Sequence, residues 1–449
     1  MLIARQGFFV LVLPFQLFRT CEHPPCDQTL HSHILLLFLT GETRVYQAAL
    51  FPLYEMFAHS GKRWSCKQDL PLRSQIRGGM ASYLAAYDTL RSTGPITVEK
   101  LDAALRDVIN CFNRYTLPHY WGEEKRAAAD GTQYELAEEN LLAEKHIRFG
   151  GFGGIAYHHV SDMYVMLFTQ FISCSVWESV HILDGLIRNR SDVTPTAIHA
   201  DTQGQNLPVF GLSYLLGIKL LPRIRNWKGL KFYRPSSDVV YQHIDSLFHD
   251  NIVDWDLIQT HWQDLLRVAI SIQEGKVLPS MLLRKLTTYS RKNRLYQAFH
   301  ALGCVERTVF LLTVISDVKL REVIHRATNK VEQYNALEDW VRFAGGGTMY
   351  AHAFEEQEKL VKYTGLLTNC IILDNTLKIS AALNALAREG YRPSIDELAA
   401  LSPYQTRHIK RFGNYEIDFS AIPALIADDL TFQLELPAPS EVIEAAQEN

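Results

Sequence analysis

The sequence predicts a mixed α/β domain, with helices leading into the sheet and a long helical stretch following it. Short strand-like runs alternate with amphipathic segments between Ala127 and Ile224. Strand signals stop after Arg234, and apolar residues recur at helical spacing from there to Leu386. Alternation of the first kind builds a mixed sheet, and periodicity of the second kind builds helices with one buried face.

The helical lead-in is Met80 to Tyr115. Leu84, Tyr87 and Leu90 form one stripe; Leu101, Leu105, Val108 and Phe112 form another beyond the Gly94-Pro95 break. Asp130 stands at an apparent strand start, just before Gly131. Gly150 to Gly154 opens no helix and reads as a flexible turn rather than a phosphate cradle. Tyr164 to Ser173 (YVMLFTQFIS) is a strand, and Val176 to Arg188 an amphipathic helix with Val180, Leu183 and Ile187 on one side. Thr196 to Asp201 is a short strand between Pro195 and Gly204. Asn206 to Leu216 is a helix and Ile218 to Ile224 a further strand. Val239 to Val318 is mostly helical, marked by Trp255, Ile258, Trp262, Leu265 and Val268, then by Leu282 to Val314. Helices over Leu320 to Phe343 and Glu355 to Leu386 complete the pattern.

A chain of 449 residues makes two or three domains, and 47% hydrophobic with 21% charged residues is a globular composition. The net charge of −4 excludes a generally basic nucleic-acid binder, so any DNA path must rest on local charge. Phe432 to Asn449 carries four glutamates and no Lys or Arg, an acidic tail without which the remainder is about neutral. Seven irregularly spaced cysteines suit reduced thiols in the cytoplasm, and Cys174 and Cys304 read as core residues. Gly7 to Phe18 is apolar but too short to span a bilayer. Cys21, His23, Cys26, His31 and His33 match no standard zinc spacing.

Three acids sit where a hard metal would need them. Asp130 and Asp201 lie at strand positions beside glycine-containing turns, rigidly placed yet open to a substrate. Glu332 is on a helix, about 100° round from Val331, so it flanks the apolar stripe. Two divalent ions about 4 Å apart suit phosphodiester chemistry and take carboxylate oxygens. Most of the 49 acidic residues must be solvated surface charges, so spacing alone does not select these three.

The surrounding text does select them. YWGEEKRAAADG, IRFGGFGGIAYHHVSD, VWESVHILDGLIRNRSD, HADTQGQNLPVFGLSYLLGIKLLPRIRNWKGLKFYRP, MLLRKLTTYSRKNRLYQAF, ATNKVEQYNALEDWV and ALSPYQTRHIKRFGNYEID resemble the Tn-three family transposases, the large replicative DDE enzymes of bacterial transposons, from about Gly78 to about Ser420. The resemblance implies Asp130, Asp201 and Glu332 as the catalytic, metal-holding acids. It implies two Mg²⁺ ions, with Mn²⁺ able to replace them, and an RNase H-like mixed sheet core interrupted by a mainly helical insertion. The chain then divides into an unassigned segment (1–75), a helical lead-in (76–126), the core (127–234 and 320–375), the insertion (235–319), a C-terminal helical region (376–420) and the acidic tail (421–449). Proteins of that family are about twice this long, with N-terminal domains for recognising transposon ends that are not expected here.

The expected activity is cleavage at transposon ends followed by 3′-OH strand transfer. The alternatives are a metal-dependent nuclease that does not join strands, and an inactive DNA-binding or inhibitory remnant. Expected partners are double-stranded DNA and a second copy of the chain, with no membrane, in the bacterial cytoplasm at the nucleoid. Two acid-free basic runs supply the DNA path. One offers Arg223, Arg225, Lys228, Lys231 and Arg234, with Trp227, Phe232 and Tyr233 interleaved; the other offers Arg284, Lys285, Arg291, Lys292 and Arg294. Such runs neutralise phosphates, and aromatics among them can stack on unpaired bases. His158 and His159 read as structural, and Asp162 as a supporting acid behind the site.

Overall fold

The computed structural model describes residues 97–409 except 138–139, 141–143, 146–151, 288–291 and 343–346, together with short strands near either end (Leu2–Arg5, Phe8–Leu13, Phe18–Arg19, Leu35–Thr40 and Glu416–Ile417). The first half of the lead-in, the Cys/His group at 21–33 and the acidic tail lie outside the described residues.

The sheet is built from β1 (Arg126–Glu135), β2 (Phe152–Ser161), β3 (Met166–Ser173), β4 (Ala197–Ala200) and β5 (Lys219–Pro222). Across it the order is β5-β4-β1-β2-β3, and the two-residue strand Glu144–Lys145 also pairs with β2. β2 runs antiparallel to β1 and β3, while β1, β4 and β5 are mutually parallel. The central strands are buried almost throughout: Ala127, Ala128 and Ala129 on β1 and Ile155 to Val160 on β2 are no more than 3% exposed. Small residues in β1 leave room for helices on the sheet faces.

The longer helical elements are α1 (Val98–Phe112), α2 (Leu207–Leu215), α3 (Trp255–Thr260), α4 (Trp262–Gln273), α5 (Pro279–Thr287), α6 (Arg294–Ser316), α7 (Val318–Val341), α8 (Phe354–Arg388) and α9 (Ile395–Ala400). α7 packs on β1 and β2, and α8 on α1 and β3. α6 docks on α2 so closely that a Cβ at Gly303 would stand 1.8 Å from the Leu207 carbonyl oxygen. Only glycine permits that approach. α6 and α8 are long and apolar, and each buries more than half of its most apolar stretch inside the protein.

Four expectations need correction. Asp130 is not at a strand start but fifth in a ten-residue strand. Gly153 and Gly154 belong to β2 rather than to a turn; a Cβ on Gly154 would meet the Phe171 ring at 2.0 Å, so the glycines admit a close neighbour. The helix expected over Val176 to Arg188 is two short pieces, a 3₁₀ turn at Glu178–His181 and a helix at Asp184–Arg188. The buried Asp184 carboxylate accepts the Ser280 amide (2.9 Å) and lies 3.2 Å from His181 Nδ1, while Gly185 packs against the His159 ring. Those contacts override the helical pattern. Finally, Val239 to Ile252 holds no α-helix, only a 3₁₀ turn at Asp245–Leu247: β6 (Phe232–Arg234) and β7 (Phe248–Ile252) form a parallel pair separate from the main sheet. The rest of 235–319 is helical, apart from its turns and the segment outside the described residues.

Candidate active site

Register places the two aspartates. Ala129 on β1 pairs with Ala200 on β4, both strands running the same way, so the next residues, Asp130 and Asp201, are neighbours at the carboxyl end of β4. Neighbouring strands lie about 4.8 Å apart, which brings two carboxylates into each other's field. At Asp201 the chain leaves the sheet into the 3₁₀ turn Thr202–Gln205, and Asp201 Oδ1 accepts the Gln203 amide at 2.9 Å.

α7 brings the third acid. Val331 and Tyr334 are buried in the core, and Glu332 between them is half exposed, flanking the stripe. One turn on, Asn335 Nδ2 donates to Asp130 Oδ2 at 3.0 Å. Residues three apart share a helix face, so Glu332 is presented on the side of α7 that meets Asp130. Arg223, just after β5, reaches Glu332 Oε1 at 3.4 Å, and its own amide donates to the Ala200 carbonyl at 2.8 Å.

A fourth acid, missed in the sequence, joins them. Glu178 is 6% exposed, and its Oε1 accepts the Gln203 side-chain amide at 3.1 Å. Its only sequence signal is its place in VWESVHILDG, where a helical reading turns it to solvent. The buried Tyr157 pairs with Gly131 across β1 and β2, and after burial the charges of Glu178, Asp201 and Asp130 raise its hydroxyl furthest.

Asp130 registers the whole arrangement. Burial, then the negative charges of Asp201, Glu178 and, more weakly, Glu332 push its carboxyl up to about 7, against a smaller opposing pull from the Gly131 amide. Like charges held together in a partly buried site resist ionisation and favour a cation between them. Among the described residues, no three His, Cys, Asp or Glu side chains close into a formed metal cage. Asp130 is instead held by Asn335, Asp201 by Gln203 and Glu332 by Arg223.

The other candidates fall elsewhere. His158 and His159 are fully buried; His159 Nε2 lies 2.9 Å from the Ile182 carbonyl oxygen, and burial lowers its ring to about 4. Asp162 is not behind the acids: it accepts the Glu123 amide, and its carbonyl receives Lys330 Nζ. Arg225, Lys228 and Lys231 are exposed on the strand-to-strand connection that leaves the sheet beside Asp201, with Trp227 exposed among them. Arg234 is committed to the fold, bonding the Val239 carbonyl (2.8 Å) and Asp245 Oδ1 (2.5 Å). Arg284 and Lys285 are exposed on α5, which packs against the Glu178 turn; Lys292 and Arg294 are exposed, and Arg291 lies outside the described residues. Of the core cysteines, Cys304 is buried and Cys174 half-buried, and both are free thiols.

Two acids side by side on parallel strands, one within β1 and one just past β4, with a third on a helix across them, define an α/β domain built round a carboxylate centre. Residues 85–415 match the Tn3 transposase DDE domain. Over 328 residues the chain is 30% identical to the transposase for transposon Tn1546 of Enterococcus faecium, covering 73% of this chain and 33% of that protein. Over 320 residues it is 33% identical to the transposase for transposon Tn3926 and 32% identical to that for Tn21, both of Escherichia coli, covering 71% of this chain and 32% of each. The chain belongs to the Tn3 transposase family. Its matched stretch spans about a third of the length of those relatives.

Proposed function

We propose that this chain carries the DNA-cleaving and strand-joining centre of a transposase, with Asp130, Asp201 and Glu332 as its metal-holding acids. The carrying observation is the register that sets Asp130 beside Asp201 on parallel strands, with Asn335 tying the Glu332 helix to Asp130 at 3.0 Å; the raised Asp130 carboxyl agrees with it. The strand order β3-β2-β1-β4-β5, with only β2 reversed, supports an RNase H-like core around that centre, and 235–319 reads as the insertion. The donor set suits the ion: hard carboxylate oxygens that repel one another until a divalent cation such as Mg²⁺ or Mn²⁺ balances them. Two such ions would activate the attacking oxygen and stabilise the leaving one.

The chain's own residues do the rest. Asp130 and Asp201 fix one side of the site from the rigid sheet, and Asn335 ties α7 to it so that Glu332 faces the same space. Arg225, Lys228 and Lys231 on one side and Arg284 and Lys285 on the other would hold the phosphate backbone of double-stranded DNA without reading its bases. Water would first attack the phosphodiester at a transposon end, and the freed 3′ hydroxyl would then attack target DNA. Such a reaction belongs at the bacterial nucleoid, in a homodimer that pairs two ends. A Mg²⁺ reaction with end-labelled DNA tests this. Joined products support the proposal; hydrolysis alone leaves a nuclease, and no cleavage leaves a DNA-binding remnant.

A further inference from the structure

Glu178 is the one acid of the centre with no assigned task. It is buried beside carboxylates that repel it, where a surface glutamate would turn to water. Room for it comes from the glycine after Asp130: a Cβ on Gly131 would stand 2.6 Å from Glu178 Oε2 and 2.7 Å from Ile155 Cγ2. Its link to the chemistry is Gln203. That residue donates its side-chain amide to Glu178 Oε1 (3.1 Å) and its backbone amide to Asp201 Oδ1 (2.9 Å). One residue therefore couples two carboxylates, and the turn that aims Asp201 is anchored at its far side by Glu178.

We propose that Glu178 is a positioning residue of the carboxylate centre, holding Gln203 so that Asp201 keeps its orientation; this rests on the metal-site reading above. Groups that orient metal ligands through hydrogen bonds typically set about 10- to 100-fold of metal affinity. Glu178→Gln separates orientation from ligation, because the glutamine oxygen still accepts from Gln203 while the charge is gone.

The test is Mn²⁺ titration of the full chain by calorimetry, with folding checked by metal-free melting. Glu178→Ala and Gln203→Ala should each weaken Mn²⁺ binding about 10-fold. The double variant should be no weaker than either single, the signature of residues acting through one contact. Glu178→Gln should stay near wild type. Additive losses, or unchanged affinity in both alanine variants, overturn the proposal. A loss in Glu178→Gln as large as that in Asp201→Asn also overturns it, making Glu178 a ligand. Should Glu178→Ala fail to fold, Gln203→Ala and Glu178→Gln carry the same decision. Asp201→Asn is the control: if it binds Mn²⁺ like wild type, the metal-site reading itself fails. If it alone loses binding, only the role of Glu178 fails.

Discussion

Asn335 donates to Asp130 at 3.0 Å, the hydrogen bond by which the helix carrying Glu332 is tied to the strand carrying the first aspartate. Asn335→Ala removes that tie. It should lower Mn²⁺ affinity about 10- to 100-fold while leaving DNA affinity unchanged, since no phosphate-binding residue is touched. Paired metal titration and filter binding would show it, and a normal metal affinity would mean that α7 is placed by packing alone.

Asp130 gives the metal-free protein a pH dependence of definite sign. Its folded carboxyl is raised from the ordinary 3.8 to about 7, so the native state holds a proton that the unfolded chain has released. Its contribution therefore favours folding at low pH and is lost as pH rises toward 7. The stability advantage of Asp130→Asn over wild type should grow between pH 4 and pH 7 and stay level above. Urea melts across that window would check it, and a difference that shrinks with rising pH would contradict the burial argument.

His159 and His199 act in the opposite direction. Both are fully buried, and burial lowers each ring from 6.5 to about 4. A depressed histidine stabilises the fold above pH 6.5 and ceases to do so as pH falls toward 4. Acid unfolding should therefore steepen below pH 6, and His199→Gln should soften it. A variant unfolding curve that superimposes on wild type would remove His199 from the account.

Glu338, six residues beyond Glu332 on α7, is fully buried between the Tyr134 hydroxyl and His158 Nε2, the latter at 3.6 Å. Burial alone would raise its carboxyl, but the charge of His158, then Arg342 and the Tyr134 hydrogen bond, hold it below the ordinary range. Glu338→Gln breaks a buried pair and should cost about 3 kcal/mol. Denaturant melts would measure the loss, and a cost under about 1 kcal/mol would show the network to be poorly desolvated.

Much of this is legible in the sequence itself. The strands that end just before Asp201 and begin at Lys219 stand out because Pro195, Gly204 and Gly217 punctuate them, and Glu332 lies beside the stripe of Val331 and Tyr334 as its helical position predicts. What stays hidden depends on contacts distant in sequence. Periodicity makes Val176 to Arg188 a helix, but Ser280, 96 positions from Asp184, binds its carboxylate in the broken form. That break is what turns Glu178 inward. Arg234 reads as a DNA contact because a basic run does not reveal that Asp245 and the Val239 carbonyl occupy its guanidinium.

Charge reversal at Arg284 and Lys285, both exposed on α5, should weaken binding to every DNA sequence alike. The slope of log affinity against log salt should fall by about one for each phosphate no longer neutralised. Metal affinity should not change. A sequence-selective loss would mean that α5 reads bases rather than phosphates.

Asp201, as proposed, works with metal on a DNA phosphodiester, and Asp201→Asn tests that role most directly. The amide keeps the shape and can still accept the Gln203 N–H, so the turn at Thr202–Gln205 should persist. On the proposed reading it removes a charge that would hold Mg²⁺. Cleavage and joining of end-labelled DNA in Mg²⁺ should both fall more than about 100-fold, beyond the usual range for groups that only orient a ligand. DNA affinity should stay near wild type. Asp201→Asn that cleaves and joins at the wild-type rate would contradict the account.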